Sequence, residues 1–230
     1  MYKDFQHINP VIEAALAQLE RQMKQLQSPS QQMSAEDFEA LFKIRARQTL
    51  LDHKSKSKFV IDEFNRPLVD IFYSYAMRTN QDKINSLAGI VLNGAYGCGK
   101  SVMISAFCRV LNDLKFFGKE EVTEIHAVEL ADQIRLNGII PFSKKPLCIQ
   151  DMGKEPNIVN AFGTVVNPLS NLLAIRAEYG AFTYGSTNMT PEMLEEQYHE
   201  FIAKRFDEHV NRVFLAGTSR RPNYSRNQPT

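Results

Sequence analysis

One eight-residue stretch of the sequence has the residue types and the spacing that bind phosphate groups. It fits the pattern G-x-x-x-x-G-K-[ST] and consists of Gly94, Ala95, Tyr96, Gly97, Cys98, Gly99, Lys100 and Ser101. Glycines let the backbone turn tightly, so that successive N–H groups face phosphate oxygens. Lys100 can reach the β- and γ-phosphates, and the Ser101 hydroxyl can bind Mg²⁺. The stretch therefore predicts a site for a nucleotide with Mg²⁺.

The sequence on either side of this loop supports the prediction. Residues 89–93 form a short apolar run that predicts a buried strand, and residues 102–114 have apolar side chains at helical spacing. A helix that begins directly after the loop points its N-terminus, with its unpaired N–H groups, at the phosphates. A glycine-rich turn with an accidental lysine would not explain these two flanking elements.

Composition narrows the classes of protein to consider. The chain has 230 residues, 43% of them hydrophobic, which is enough for one domain with an appendage. Its formal net charge of +1 gives no overall basic field, so any nucleic-acid surface must be a local patch. The odd number of cysteines (Cys98, Cys108 and Cys148) argues against a disulfide framework. Without a membrane-length apolar run or a signal-peptide pattern, we expect a cytoplasmic protein.

Strands and helices alternate along the rest of the chain. The predicted strands after the loop strand are residues 124–128, 147–149, 182–186 and 212–216. The predicted helices between them are residues 129–136, 167–179, 193–198 and 201–206. This alternation predicts an α/β fold in which a mostly parallel five-stranded sheet carries helices on both faces.

The first 55 residues form a predicted helical region with two open interpretations. Apolar residues recur at helical spacing over 11–26 and again over 34–51, and a basic segment follows at 53–58. One interpretation is a helical hairpin packed on the core, and the other is a mobile appendage that docks a partner protein. Beyond the basic segment, residues 59–62 are extended and apolar, and Pro67 lies in the first turn of a helix that ends near residue 78.

A carboxylate at the end of another strand is the second requirement of a nucleotide-hydrolysing loop protein, because Mg²⁺ must be held and a water oriented. The apolar strand at 147–149 is followed by Gln150 and Asp151, and Glu155 comes soon after. The alternative is that Asp151 and Glu155 are ordinary loop carboxylates near the start of a helix.

Several stretches in order resemble the AAA+ ATPases of the DnaC/IstB type, which are bacterial and phage helicase loaders and transposition ATPases. The resemblance covers about residues 59 to 221. It rests on GAYGCGKS at 94–101, LCIQDMGKEP at 147–156, NPLSNLLAIRAEYGAFTYGSTNMT at 167–190, LEEQYHEFIAKRFDEHVNRVFLAG at 194–217 and TSRR at 218–221. It implies a P-loop NTPase fold with an AAA+ core, a three-layer sandwich that binds ATP and Mg²⁺. The expected organisation is a helical N-terminal region at 1–55, an ATPase domain at 56–221 and a flexible polar tail at 222–230.

The resemblance also implies roles for individual residues. Asn188, after the fourth strand, is similar to the polar sensor that contacts the γ-phosphate or the attacking water; otherwise it is a turn residue. Arg205 is similar to the arginine finger that reaches the ATP of a neighbouring subunit; otherwise it is a solvated helix arginine. We assign no role to Arg176, Arg220 or Arg221, although the last two are placed where they could contact phosphates or DNA.

Two features depart from the family pattern. The family has two acidic residues where this chain has Gln150 and Asp151, so Gln150 takes the metal-side position and Asp151 the water-activating position. Because Gln brings no charge, either Asp151 serves both tasks and binds Mg²⁺ with Ser101, or Glu155 assists, or hydrolysis is slow. We also expect no full helical lid after the last strand, so a neighbouring subunit would have to cover the ATP.

The function that the resemblance implies is that of an ATP-hydrolysing assembly factor acting on DNA, most simply a DnaC-like replicative helicase loader. An IstB-like transposition ATPase is the alternative within the family. The expected partners are single-stranded DNA, a replicative helicase or transposase, and further copies of the chain with ATP at their interfaces; no membrane is involved. Two other classes stay open: a small-molecule kinase, and a module that binds ATP as a structural ligand with little turnover.

Overall fold

The computed structural model describes residues 33–55, 57–79, 82–156, 159–161 and 164–220. The predicted helix at 11–26, Arg221 and the predicted tail at 222–230 lie outside the described residues. Predictions made for those segments therefore stay predictions.

Five parallel strands form the central sheet, in the spatial order β2-β3-β6-β1-β7. They are β1 (Gly89–Gly94), β2 (Thr123–His126), β3 (Leu147–Met152), β6 (Thr183–Thr187) and β7 (Val210–Leu215). A separate antiparallel hairpin, β4 (Val159–Ala161) and β5 (Thr164–Val166), lies between β3 and the next helix along the chain. Because β6 pairs with both β1 and β3, the carboxyl ends of these three strands meet at one edge of the sheet.

Seven α-helices surround the sheet among the described residues. They are α1 (Ala35–Asp52), α2 (Arg66–Ala76), α3 (Lys100–Asp113), α4 (Ala127–Asn137), α5 (Pro168–Glu178), α6 (Pro191–Tyr198) and α7 (Glu200–Glu208). Local sequence explains several starts: Ser34, Asn167 and Thr190 each accept a hydrogen bond from a backbone N–H three residues on. Proline occupies the first turn of α2, α5 and α6, where its missing N–H costs nothing.

The core is divided into two apolar clusters, one on each face of the sheet. Side chains alternate between faces along a strand, and accordingly Ile90 and Leu92 of β1 join the cluster with α1, α2 and α3, whereas Val91 joins the other. On β3, Cys148 faces the first cluster and Ile149 the second. The second cluster includes residues of α4, α5, α6 and α7. The predicted fold class, an α/β fold in which a five-stranded parallel sheet lies between two layers of helices, is confirmed.

Helix α1 packs directly on α2 and α3. Phe38 and Phe42 are fully buried, and the Phe42 ring centroid lies 5.7 Å from that of Phe72 on α2. The Arg45 guanidinium also donates to the Asp113 carboxylate at the end of α3, with Nε 2.6 Å from Oδ2. The described part of the N-terminal region is therefore packed rather than separate, and the boundary drawn at residue 55 stays a prediction.

None of the helices in the described part of the chain is long and apolar enough to cross a membrane.

Candidate nucleotide-binding site

The phosphate-binding motif forms the connection between β1 and α3. Gly97 and Gly99 have φ angles of 80° and 105°, a backbone conformation that residues with a Cβ rarely adopt. A Cβ on Gly97 would also lie 2.4 Å from the Ser219 Oγ, so glycine is needed there for space as well as for conformation. Gly99 immediately precedes α3, so the first N–H groups of this helix face the loop.

The Lys100 ammonium lies inside the loop and is fully hydrogen-bonded. It donates to the carbonyl oxygens of Gly94 and Ala95, each at 2.8 Å, and to the Asn188 Oδ1 at 2.6 Å. Burial, which removes water from the ammonium, lowers its pKa. Because these partners carry no formal charge, the oxygens of a phosphate chain would bind the ammonium more strongly than they do. Asn188 therefore lies next to the Lys100 ammonium, and its role as the sensor of the γ-phosphate or the attacking water stays a prediction.

A cleft of about 510 Å³ opens beside the loop. Loop residues from Tyr96 to Ser101 form one wall, and residues of the segment 57–60 together with His53 form another. Four polar side chains from separate elements also line it: Asp151, Lys154, Asn188 and Arg220. This volume and the mixture of loop backbone with a few charged groups are typical of small-molecule sites.

Asp151 lies at an irregular end of β3. Its φ is 57°, and the register of β3 against β6 shifts between Ile149 and Met152. A bulge of this kind turns a side chain away from the regular alternation, and the Asp151 carboxylate faces the cleft. Its backbone N–H donates to the Ser186 Oγ at 3.1 Å, and the Lys154 ammonium donates to its Oδ2 at 2.7 Å. Left-handed backbone at a non-glycine residue is found often at functional sites.

Gln150 points to the α3 face of the sheet and is 1% exposed. Its Nε2 donates to the Ser105 Oγ at 2.9 Å and to the Glu124 Oε1 at 3.1 Å, with the Ser101 carbonyl 3.4 Å away. Its Oε1 accepts from the Ser186 Oγ at 2.6 Å. The amide therefore lies against the first turns of α3, next to the residue predicted to bind Mg²⁺.

Glu155 is not brought together with the loop. It is 4% exposed, and it does not line the cleft. Its carboxylate accepts from the Tyr198 hydroxyl at 2.5 Å and from the Gly153 N–H at 2.8 Å. Burial, and then the Glu155 charge, raise the pKa of the Tyr198 hydroxyl. The geometry gives Glu155 a structural contact between the turn after β3 and α6, where the sequence suggested help with catalysis.

Arg205 lies on α7, and its side chain does not line the cleft of its own chain. Its Nη1 is 3.6 Å from the Glu178 Oε1, and 35% of its side chain is exposed. An ion pair this long and this exposed contributes little to stability, so the guanidinium is free to take a stronger partner.

Of the other three arginines that the sequence singled out, Arg176 and Arg220 lie within the described residues. Arg176 is 1% exposed and donates to the carbonyls of Phe142, Lys145 and Phe182, which makes it a structural residue; burial lowers its pKa to about 10. Arg220 lies in the site: its backbone N–H donates to the Gly97 carbonyl at 2.9 Å, and its guanidinium pairs with Asp62. That guanidinium, through its hydrogen bond, lowers the pKa of the Asp62 carboxyl.

The donor set of the site fits a magnesium ion carried by a nucleotide. Mg²⁺ is usually held by one or two carboxylates together with substrate phosphates and waters. Asp151 and the Ser101 hydroxyl both line the cleft and would provide the protein side of such a set. No group of three or more His, Cys, Asp or Glu side chains that could hold a metal by itself is found in the described ranges.

No known family model matches the sequence, and no curated protein matches it. Among solved structures, AMPPCP-bound DnaA from Aquifex aeolicus is 15% identical over 68% of this chain and 48% of that chain, with a TM-score of 0.46. A DNA replication initiation factor is 14% identical over 68% of this chain and 47% of that one, with a TM-score of 0.44. The chain spans about half the length of these two structures.

The fold is that of a P-loop NTPase. The motif joins the buried parallel strand β1 to α3, which is the strand–loop–helix context that the phosphate-binding loop requires. Sequence reasoning missed three residues of the site. Lys154 follows Asp151 by three positions and could have been found from that spacing. Glu124 and Ser186 carried no signal, since their importance depends on which strands are neighbours.

Proposed function

We propose that this protein binds Mg²⁺-ATP in the cleft and hydrolyses it. The observation that carries the proposal is the meeting of three groups at one edge of the sheet: the Lys100 ammonium, the Asn188 amide and the Asp151 carboxylate. The first two are in contact, with Lys100 Nζ 2.6 Å from Asn188 Oδ1, and all three line the same cleft. Each comes from the end of a different strand or from the helix after it, as this chemistry requires.

Within this site the chain's residues would divide the work. The loop N–H groups and Lys100 bind the phosphates, and Ser101 and Asp151 hold Mg²⁺, which when bound neutralises charge on the phosphate oxygens. Asp151 also orients the attacking water. Asn188 contacts the γ-phosphate or that water, and Arg220, beside Gly99, is placed to add a further positive charge.

The finer proposal is an assembly factor that acts on DNA, most simply a DnaC-like helicase loader, with an IstB-like transposition ATPase as the alternative. The position of Arg205 supports assembly, because a partly exposed arginine outside its own cleft can enter the site of a neighbouring copy. Single-stranded DNA and a replicative helicase or transposase are the proposed partners. The N-terminal region up to residue 55 would be the element that docks the partner protein.

A second candidate is a module that binds ATP as a structural ligand and turns it over slowly. Two observations favour it: the amide of Gln150 replaces an acidic group beside Ser101, and the Asp151 carboxylate is paired with Lys154 at 2.7 Å. A paired carboxylate is less available to a metal or a water.

Phosphate release from ATP, measured at several protein concentrations with and without single-stranded DNA, separates the candidates. An assembly ATPase has a specific rate that rises with protein concentration and with DNA. A structural binder retains nucleotide but releases almost no phosphate in either condition. A small-molecule kinase consumes ATP only when its acceptor substrate is present. Lys100→Ala should abolish phosphate release, because the ammonium is needed to bind the phosphates. Its matched control is Lys119→Ala, at an exposed lysine outside the cleft.

A further inference from the structure

The edge strand β2 places the Glu124 carboxylate next to Gln150, the residue that stands where the family that this chain resembles has an acidic side chain. β2 pairs with β3 so that Glu124 is opposite Cys148, two residues before Gln150. The Glu124 Oε1 accepts from the Ser105 Oγ at 2.5 Å and from the Gln150 Nε2 at 3.1 Å. A negative charge therefore lies within hydrogen-bonding distance of the buried amide, on the side that faces α3.

The surrounding hydrogen bonds leave one orientation for that amide. The Ser186 Oγ accepts from the Asp151 N–H, so its own hydrogen must be donated elsewhere, and the Gln150 oxygen lies 2.6 Å away. The amide NH₂ then faces the Glu124 carboxylate, which can only accept. Glu124, Gln150 and Ser186 thus form a continuous chain that ends on the backbone of Asp151.

We propose that Glu124 is a positioning residue for this site: it fixes the Gln150 amide, and through Ser186 the backbone of Asp151, and it supplies from β2 the negative charge that Gln150 does not carry. The inference rests on the proposed function, since it concerns how the same site holds Mg²⁺-ATP. In this arrangement the task of one metal-side carboxylate is shared by two strands, with the charge on β2 and the hydrogen-bonding group on β3.

The charge and the hydrogen bonds can be separated by substitution. In Glu124→Gln the new side-chain oxygen can still accept from Ser105 and Gln150, so only the charge is lost. Because residue 124 is exposed, this change needs no repacking. Glu129→Gln is the control, since Glu129 is an exposed carboxylate on the neighbouring helix α4 that belongs to no part of this chain of hydrogen bonds.

The primary measurement is ATP affinity as a function of Mg²⁺ concentration, with affinity in EDTA measured alongside. We expect Glu124→Gln to leave binding in EDTA unchanged and to raise the Mg²⁺ concentration for half-maximal coupling on the order of tenfold, as for other groups that support a metal site indirectly. Glu129→Gln should behave as the unsubstituted protein does in both conditions.

An exchanged pair sharpens the test. Gln150→Glu places two carboxylates side by side, which repel, so we expect a lower melting temperature without Mg²⁺ and a lower Mg²⁺ requirement. The double variant Glu124→Gln/Gln150→Glu again has one carboxylate and one amide. It should return the Mg²⁺ requirement close to that of the unsubstituted protein, because the pair regains its total charge.

Two results would overturn the inference. One is an identical Mg²⁺ requirement in Glu124→Gln and Glu129→Gln. The other is an equal loss of affinity in EDTA and in Mg²⁺ accompanied by a lower melting temperature, which is the pattern of a purely structural residue. Failure of the proposed function looks different, because ATP binding in EDTA would then be absent or insensitive to Lys100→Ala in every background.

Discussion

The carboxyl ends of β1 and β3 both contribute to the proposed nucleotide site, but they are built in different ways. At the end of β1, the phosphate-binding loop is a run of eight consecutive residues, and its tight turns are made by glycines with positive φ angles. At the end of β3, the side chains that hold Gln150 and Asp151 come from α3, β2 and β6 and from the turn that bears Lys154. A local device tolerates little change in its own sequence, whereas a distributed one can lose a charge at one position and keep it at another.

The largest expected effect tests whether the ends of β1 and β3 are sufficient for ATP hydrolysis without an arginine from a neighbouring copy. Arg205→Ala should leave ATP binding nearly intact and reduce hydrolysis by roughly 10³- to 10⁵-fold, because a finger supplied across an interface stabilises transition-state charge. Phosphate release, with binding measured separately by calorimetry, is the measurement.

Mixing Arg205→Ala with Lys100→Ala provides the control. A mixed interface combines one intact loop with one intact arginine, so activity should partly return. If mixtures that are shown to co-assemble stay inactive, Arg205 acts within its own chain or has no part in hydrolysis.

The next largest effect lies at the end of β3. Asp151→Asn removes the carboxylate that lines the cleft, and we expect turnover to fall by about 10²- to 10⁴-fold, the range usual for a positioned acid or base. ATP affinity in EDTA should change little, since the loop is untouched. Turnover close to that of the unsubstituted protein would mean that Asp151 is not the catalytic carboxylate.

The contrast between the two ends also explains what could be predicted from sequence. The loop, β1 and α3 follow from the motif and from apolar periodicity, and the parallel sheet follows from the alternation of elements. The position of the Glu155 side chain away from the cleft could not be predicted, because its partner Tyr198 lies on a helix more than 40 residues away in sequence. The bulge at Asp151 and the hairpin of β4 and β5 depend on packing against β6 and α4, which leaves no periodic signal.

A smaller effect is expected at Gln150. Gln150→Asp should lower the Mg²⁺ concentration needed for activity and raise turnover by several-fold, because a carboxylate beside Ser101 attracts the metal. Affinity in EDTA should change less. If Gln150→Asp is neutral or harmful while Asp151→Asn is fatal, Asp151 is itself the metal-side residue, and the assignment used here is displaced by one position.

The smallest effect concerns stability alone. Tyr198→Phe leaves the buried Glu155 carboxylate without its hydroxyl donor, which should reduce the free energy of unfolding by about 1–3 kcal/mol. Turnover at a temperature well below the transition should stay unchanged. A loss of turnover without a loss of stability would restore Glu155 as a catalytic candidate.

Calorimetric titration of ATP into the unsubstituted protein and into Lys100→Ala tests the central claim, that the cleft beside the loop is a nucleotide site. The Lys100 ammonium offsets charge on the β- and γ-phosphates, so we expect tight binding in the first case and its loss in the second, with Lys119→Ala unaffected. Equal affinity in all three proteins would contradict the assignment of the site.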